Sequence, residues 1–433
     1  MLQASSAHNV MCLLASGSNS VGQLGTGDVI DSHTFAPCTF QESSQYTTPP
    51  SFSVHDIAAG GRHTLILLRH HAGNHSELWG CGDASRGQLG PQRTESTTVL
   101  RPIELPSEVV QGCHYRLIAC SWETSYVVLS CAGRNDILLS MGADDFGNLG
   151  RAPRTTETEG DQTPGVHRVN FDHVLPKGTA RFVVASLSAG LYHVVVHLEA
   201  TLADGSIRYL TVGWGLSRHG QLGQASVFPG VPGVLEGPRP VALDRADDDP
   251  IHSISLGNHH SVFLRGSGCA SGLGSSKKHQ LRGIDDQKDV RALGCTWNGT
   301  YLVAGHGDDF RILSAGSHSK GQLGRMASDD LSFAPVHFPF DLGTRRFVSM
   351  ACGSEHVLVL FDVVSSQGAH DAEREVWGWG WNEHGNLGLG TTDDVALPRR
   401  IWPDTFGASS IRGTVVGIWA GCGTSWIAIE RAS

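Results

Sequence analysis

The amino-acid sequence predicts an all-β chain folded as one seven-bladed β-propeller, a single closed ring over residues 1–433. Three observations predict it: 54 glycines in 433 residues, a glycine-rich phrase that recurs seven times, and a second phrase that alternates with the first. Glycine averages roughly 7% in ordinary proteins. Many short strands joined by glycine-rich turns explain this excess better than long helices do.

The first phrase is Gly-Gln-Leu-Gly or a close variant. Its copies share one leucine, and these leucines are Leu24, Leu89, Leu149, Leu222, Leu281, Leu323 and Leu387. Neighbouring copies lie roughly sixty residues apart, which is the period of a repeat architecture. The glycines permit the positive φ of a tight turn. We expect the leucine to fill apolar space between sheets, and the Gln or Asn beside it to hydrogen-bond the turn backbone.

The second phrase is a small-residue turn followed by a β-branched, apolar run, as in "IAAGGRHTLILL" from Ile57 and "ISLGNHHSVFLR" from Ile254. This pattern predicts a buried strand. A repeat of this size cannot bury both faces of its sheet alone, and radial stacking of such sheets is the β-propeller. Because the chain opens with one phrase and closes with the other, we expect its two ends to complete one blade together.

Four stretches are longer than the repeat requires, near 41–54, 151–180, 224–250 and 362–375. They are rich in proline, glycine, serine and charged residues. This composition predicts surface-loop insertions.

Composition disfavours several classes of function. The net charge is −10 and the pI is near 6.1, whereas nucleic-acid binders usually carry a basic stripe. No apolar run approaches the length of a membrane span, and no secretory leader is recognisable. The ten cysteines form no Cys-x-x-Cys pair, so we expect reduced, buried thiols. We therefore expect a cytoplasmic protein, with the nucleus as a second location, that binds neither nucleic acid directly nor membrane.

The pattern Gly-x-Asn-x-x-Gly-Gln-Leu-Gly, followed by Ala-x-Gly-x-x-His-Ser, resembles the RCC1 repeat family from Ala15 to Glu430. The resemblance implies a seven-bladed propeller. It specifies the fold better than the function, since such propellers serve many partners. The glycines do not form a phosphate-binding loop, because no Gly-x-Gly-x-x-Gly enters a helix and no Gly-Lys occurs.

One column of the second phrase holds His63, His193, His260 and His356, whereas the other three copies hold Thr124, Gly299 and Ser425. Side chains at one position of successive blades do not converge, as metal ligands must. We therefore expect the histidines to make structural hydrogen bonds, and we expect no metal, no cofactor and no catalytic residue.

The tryptophans divide into two groups. Trp79, Trp214, Trp377 and Trp379 alternate in strand fashion, and we expect them in the core. Other tryptophans lie in or beside turns where sister repeats have smaller residues. These anchor a partner, since interface hot spots favour tryptophan, or they fill the central channel or pack as ordinary core residues. With their neighbours they form the predicted partner-binding set, which is Trp122, Glu123, Trp297, Trp381, Glu383, His384 and Trp426.

The motifs "CSWETS" and "WGWGWNEHGN" are similar to those of one branch of the RCC1 family. That resemblance implies a non-catalytic propeller that forms a heterodimer with a small CSL-type zinc-binding protein of diphthamide biosynthesis, an iron-carrying electron donor. The pair would support diphthamide synthesis on elongation factor 2 by its radical enzyme and Elongator-dependent modification of wobble uridine in tRNA. The alternative is a guanine-nucleotide exchange factor for a small GTPase, with a wedge in 151–180.

Overall fold

The computed structural model describes residues 10–41, 52–71, 75–151, 165–223, 233–243, 249–326, 331–364, 373–403 and 413–431. Within these ranges the strands form seven antiparallel sheets arranged as the blades of one propeller. The innermost strands of successive sheets contact one another around a central channel. The predicted all-β, seven-bladed propeller is confirmed.

The blades follow one another along the chain, each beginning with its innermost strand. Blade 1 contains β3 (Phe52–Ala59), β4 (His63–His70), β5 (Ser76–Gly82) and β6 (Thr97–Pro102). Blade 2 contains β7 (Cys113–Cys120), β8 (Thr124–Cys131), β9 (Ile137–Gly142) and β10 (His167–Arg168). Blade 3 contains β11 (Thr179–Ala189), β12 (His193–Leu202), β13 (Ile207–Leu216) and β14 (Val234–Pro240).

Blade 4 has three strands in the described part of the chain, namely β15 (Ile251–Leu256), β16 (His260–Arg265) and β17 (Ala270–Gly274). Blade 5 contains β18 (Val290–Thr296), β19 (Gly299–His306), β20 (Asp309–Gly316) and β21 (Ala334–Pro335). Blade 6 contains β22 (Arg345–Cys352), β23 (His356–Val363), β24 (Arg374–Gly380) and β25 (Val395–Trp402). A short helix, α1 (Ser107–Val110), and a 3₁₀ turn at Leu342–Thr344 precede blades 2 and 6. Neither of these, nor any other described helix, is long and apolar enough to cross a membrane.

Blade 7 joins the two ends of the chain. Its sheet order is β2 (Ser32–Pro37), β1 (Val10–Gly17), β27 (Thr424–Arg431) and β26 (Thr414–Ala420). Strand β1 pairs antiparallel with β27 along its whole length, with Leu14 opposite Ile427. The predicted closure of the ring by both ends is confirmed.

The repeated leucine packs over a glycine in the third strand of its own blade. A Cβ atom added to Gly213 would lie 2.7 Å from Leu222 Cδ2, and one added to Gly80 would lie 2.9 Å from Leu89 Cδ2. Both leucines are buried, which confirms their predicted core role. The four tryptophans predicted in the core are also buried: Trp79, Trp214, Trp377 and Trp379.

The surface-loop prediction is wrong for parts of two insertions. Within 151–180, Val169 and Phe171 are buried in the core and β10 adds an outer strand. Within 224–250, β14 forms the outer strand of blade 3 and buries Leu235. These strands form the outer edges of blades 2 and 3, as β6 and β25 do in blades 1 and 6. Residues 42–51, 152–164, 224–232, 244–248 and 365–372 of the four insertions lie outside the described residues.

One pair of cysteines differs from expectation. Cys113 and Cys131 lie directly opposite each other on β7 and β8 and form a disulfide. The expectation of reduced thiols is wrong for this pair, because pairing of the strands brings together two residues that no sequence motif connects. Buried free thiols, as expected, occur at Cys12, Cys38, Cys81, Cys120 and Cys295.

Candidate protein-binding face

Seven turns connect the first and second strands of the blades and surround one end of the central channel. We call this end the mouth, and its turns are residues 60–62, 121–123, 190–192, 257–259, 297–298, 353–355 and 421–423. Beneath them lies a cavity of about 290 Å³, whose lining includes Trp122, Trp297 and several small residues of the turns. The second phrase of the sequence therefore builds the mouth.

Backbone hydrogen bonds run from turn to turn around the mouth. These are Gly61 N to Trp122 O (2.8 Å), Trp122 N to Leu191 O (3.1 Å), Asn258 N to Trp297 O (3.0 Å), Trp297 N to Ser354 O (2.7 Å) and Ser354 N to Gly421 O (3.0 Å). Each turn is thereby bonded to at least one neighbouring turn. A face ordered before binding loses less conformational freedom when a partner docks.

Trp122 and Trp297 meet at the mouth although they come from blades 2 and 5. Their ring centroids are 6.2 Å apart with an interplanar angle of 53°. Both side chains are half-buried, and the ring of Trp122 lies against Gly61, where an added Cβ would come within 2.7 Å. The pair thus fills the mouth of the channel and still presents part of its surface to solvent.

Trp426 does not belong to this face. Its side chain is 1% exposed and packs in the core between blades 7 and 1. The prediction that it binds a partner is wrong, because Trp426 is a strand residue whose side chain points between sheets. The structure also shows Thr424, and not Ser425, in the histidine column: Gly421 N donates to Thr424 O in the way that Gly353 N donates to His356 O.

The histidines of the column join neighbouring blades. Each Nε2 atom lies within hydrogen-bond distance of a hydroxyl in the next blade: His63 with Ser125, His193 with Ser261, His260 with Thr300, and His356 with Ser425. Ser125 donates its own hydrogen to Gln88 O, so the Nε2–H of His63 is the donor to Ser125. The predicted structural role is confirmed. Burial lowers the pKa of His63, His260 and His356 to about 4 and that of His193 to about 3.

Aromatic residues replace the histidine bond in blades 2 and 5. Tyr126 Oη and Trp214 Nε1 both donate to the carbonyl of Asn148 at 2.8 Å. In the same way, Tyr301 Oη and Trp379 Nε1 both donate to the carbonyl of Gln322 at 2.7 Å. The loss of histidine at Thr124 and Gly299 therefore has a structural cause within the ring.

Trp381, Glu383 and His384 form a second group on the mouth face, near the turn of blade 7. Trp381 Nε1 donates to Glu383 Oε2 at 3.1 Å, and the rings of Trp381 and His384 are nearly perpendicular at 5.3 Å. His384 Nδ1 lies 2.7 Å from Asp31 Oδ2. A Cβ atom added to Gly423 would lie 3.3 Å from the Trp381 ring. Three predicted residues are thus brought together, at the junction of blades 6 and 7.

Sequence reasoning missed Glu355, which occupies the same turn position as Glu123. Asn298 Nδ2 donates to its Oε1 at 2.6 Å and Gln322 Nε2 to its Oε2 at 2.9 Å, while burial raises the pKa of this carboxyl group. Glu123 is half-buried, and its Oε2 atom lies 3.9 Å from Arg86 Nε. Aligning the copies of the second phrase on their histidine column would have found this position, which holds Arg62, Glu123, Tyr192, His259, Asn298, Glu355 and Gly423.

Among the described residues, no group of three His, Cys, Asp or Glu side chains is placed to hold a metal ion. The expectation that the protein carries no metal or other cofactor remains a prediction. What the face offers is aromatic surface, carboxylates and an ordered backbone, which suits contact with another protein.

Comparison with known proteins agrees with the repeat geometry. The profile of the family described as "Regulator of chromosome condensation (RCC1) repeat" matches residues 12–67, 311–360 and 375–426. These three segments match the RCC1 repeat. The secretion-regulating guanine nucleotide exchange factor of Bos taurus is 26% identical over 446 residues, covering 95% of this chain and 81% of that protein.

Two further known proteins match nearly the whole chain, one by sequence and one by structure. An RCC1 repeat-containing protein of Schizosaccharomyces pombe is 24% identical over 97% of this chain and 99% of its own. The crystal structure of human WBSCR16 superposes with a TM-score of 0.68 at 19% identity, over 98% of this chain and 99% of that one. At that identity the structural likeness establishes the propeller fold and nothing finer.

Proposed function

We propose that this RCC1-repeat propeller is a non-catalytic scaffold that docks a small partner protein on the mouth face. The observation that carries the proposal is the Trp122–Trp297 pair, half-buried and held by backbone hydrogen bonds from neighbouring turns. Tryptophan on a rigid, concave surface is the residue type that dominates binding energy at interfaces.

The partner in this proposal is the small CSL-type zinc-binding protein of diphthamide biosynthesis. The support is the resemblance of "CSWETS" and "WGWGWNEHGN" to one branch of the family, together with the position of Trp122 and Trp381 on one face. The tryptophans would bury against the partner and shield or aim its metal site. The heterodimer would thereby support diphthamide synthesis and Elongator-dependent tRNA modification, in the cytoplasm and nucleus.

A second candidate is nucleotide exchange on a small GTPase. It is favoured by the bovine relative, whose name describes a guanine nucleotide exchange factor and which matches 95% of this chain. Such activity needs a wedge that reaches the nucleotide site. Residues 152–164, the centre of the predicted wedge, lie outside the described residues.

Calorimetric titration of the purified chain with the purified zinc protein tests the first candidate, and release of labelled nucleotide from small GTPases tests the second. We expect tight binding of the zinc protein and no acceleration of nucleotide release. The reverse result would replace the first candidate by the second.

Substitution of Trp122→Ala together with Trp297→Ala tests the site. Loss of two hot-spot tryptophans should weaken partner binding by at least about 100-fold, since each can contribute about 2 kcal/mol or more. Tyr209→Ala is the matched control, because Tyr209 is 43% exposed on β13 near the end opposite the mouth. Unchanged partner binding by the double variant, with the fold intact by circular dichroism, would reject the mouth as the site.

A further inference from the structure

The loop that follows the first glycine-rich phrase presents two apolar side chains to solvent. Val29 is 54% exposed and Ile30 is 71% exposed. They stand between two carboxylates, Asp28 and Asp31. We call these four residues the ledge.

A buried asparagine holds the ledge in shape. Asn19 is fully buried, and its Nδ2 donates to Asp28 O at 3.0 Å, to Asp28 Oδ1 at 2.9 Å and to Ile30 O at 3.2 Å. Its backbone N donates to Asp31 Oδ1 at 2.8 Å. The two apolar side chains are therefore projected by an ordered backbone, which limits the entropy lost when a partner covers them.

Blade 6 contains a sister loop with three of these four hydrogen bonds. Asn382 Nδ2 donates to Thr391 O at 2.8 Å and to Asp393 O at 3.1 Å, and its backbone N donates to Asp394 Oδ1 at 3.0 Å. When the two loops are aligned on Asn19 and Asn382, Thr392 corresponds to Val29 and Asp393 to Ile30. This loop geometry thus forms with polar residues at both positions, so the apolar character of the ledge is not required by its own folding.

The ledge lies beside the group formed by Trp381, Glu383 and His384. Asp31 Oδ2 contacts His384 Nδ1 at 2.7 Å, and His384 packs against Trp381. Glu383, exposed next to Trp381, adds a third carboxylate to Asp28 and Asp31. Exposed apolar residues grouped with an aromatic side chain and rimmed by charge mark interaction sites, and carboxylates around them select a positively charged partner.

We propose that the ledge docks a basic segment of a partner protein in which an apolar side chain is flanked by lysine or arginine. The apolar side chain packs on Val29, Ile30 and Trp381, and the flanking cations pair with Asp28, Asp31 and Glu383. This inference rests on the proposed function only in requiring that a protein docks on this face.

Fluorescence anisotropy of the full chain with labelled peptides tests the inference. The probe is a short peptide with leucines flanked by lysines in a glycine–serine background. One counterpart replaces lysine by glutamate, and another replaces leucine by serine. We expect the probe to bind at least about tenfold more tightly than either counterpart, with affinity falling as salt rises. Equal binding of the three peptides overturns the inference.

The sister loop supplies the variant. Val29→Thr with Ile30→Ser makes both positions polar, as they are in blade 6, without adding charge, and we expect it to weaken binding of the probe peptide at least about fivefold. Ile207→Thr is the control, because Ile207 is 45% exposed on blade 3 away from the ledge. An unchanged affinity in the double variant overturns the inference.

The double variant Trp122→Ala, Trp297→Ala separates the proposed partner site at the mouth from the ledge. It should bind the probe peptide with unchanged affinity. Probe binding without zinc-protein binding rejects the proposed partner and leaves the ledge. Zinc-protein binding without probe binding rejects the ledge alone.

Discussion

At the scale of single residues, the histidine column shows how a repeat protein joins its blades. His63 and His193 each donate across a blade boundary to a serine that itself donates to the Gln carbonyl of the first phrase. The two phrases of the sequence therefore meet in one hydrogen-bond chain. The imidazoles are buried and neutral, so their protonation opposes folding.

Acid should destabilise the ring through these histidines. The unfolded chain takes up protons near pH 6.5, whereas burial holds the folded pKa near 4 for His63, His260 and His356. Between these values the unfolded state binds more protons, so stability falls as pH falls, by up to about 1.4 kcal/mol per pH unit for each histidine. Burial raises the pKa of Asp56 to about 6. Protonation of this one carboxyl group favours the folded state as pH falls, and it therefore offsets part of the loss of stability.

Urea unfolding at several pH values between 7 and 4 measures this dependence. His356→Gln should flatten the slope by about one proton, whereas His306→Gln, at an 85% exposed side chain, should leave it unchanged. A stability that is constant over this range contradicts the assignment of neutral, buried histidines.

At the scale of the structural element, the turn of the first phrase keeps its conformation in blade 4, where a histidine stands at the position of the glycine. In blade 4, His279 adopts φ 65°, close to the 74° of Gly321 and 76° of Gly220 in the sister turns. The hydrogen bond from His279 N to Ser276 O matches that from Gly87 N to Ala84 O. Packing of the ring thus imposes a left-handed conformation on a residue that disfavours it.

His279→Gly should therefore stabilise the protein by about 1 kcal/mol, because glycine adopts this conformation without strain. Gly87→Ala is the mirror experiment. Its φ is 83° and no atom lies within 4 Å of an added Cβ, so the expected loss of about 1 kcal/mol is purely conformational. Thermal unfolding measures both, and a destabilised His279→Gly protein would show that the imidazole makes a favourable contact.

At the scale of the whole molecule, stability depends on joining the ends of the chain. Leu14, from β1, is fully buried in a cluster that also contains Leu358 of blade 6 and Ile427 of β27. The first strand of the chain thus shares an apolar cluster with blade 6 and with the last strand. Opening of blade 7 would expose this cluster and the channel wall together.

Leu14→Ala should cost about 2–5 kcal/mol, the usual penalty for a buried leucine, and should make β1 the first site of limited proteolysis. Leu397→Ala, at a 41% exposed position, should change the unfolding free energy by less than about 0.5 kcal/mol. Equal effects of the two substitutions would argue against closure through β1.

The sequence by itself determined the number of blades, the alternation of the two phrases, the closure by both ends and the burial of six of the seven repeated leucines. Each of these features repeats at a regular interval along the chain. Such an interval can be recognised from the sequence without knowing which residues are neighbours in space. The identity of a turn tryptophan was visible in the same way. Its surroundings were not.

Tertiary structure decided which specialised residues share a surface. It placed Trp426 in the core, paired Trp122 with Trp297 across the channel, joined Cys113 to Cys131, and set the ledge beside Trp381. Each contact joins segments whose proximity follows from strand pairing or from wrapping of the ring. Side chains from distant blades come into contact because all the sheets are arranged around one axis. No local pattern of residues predicts which of these side chains will touch.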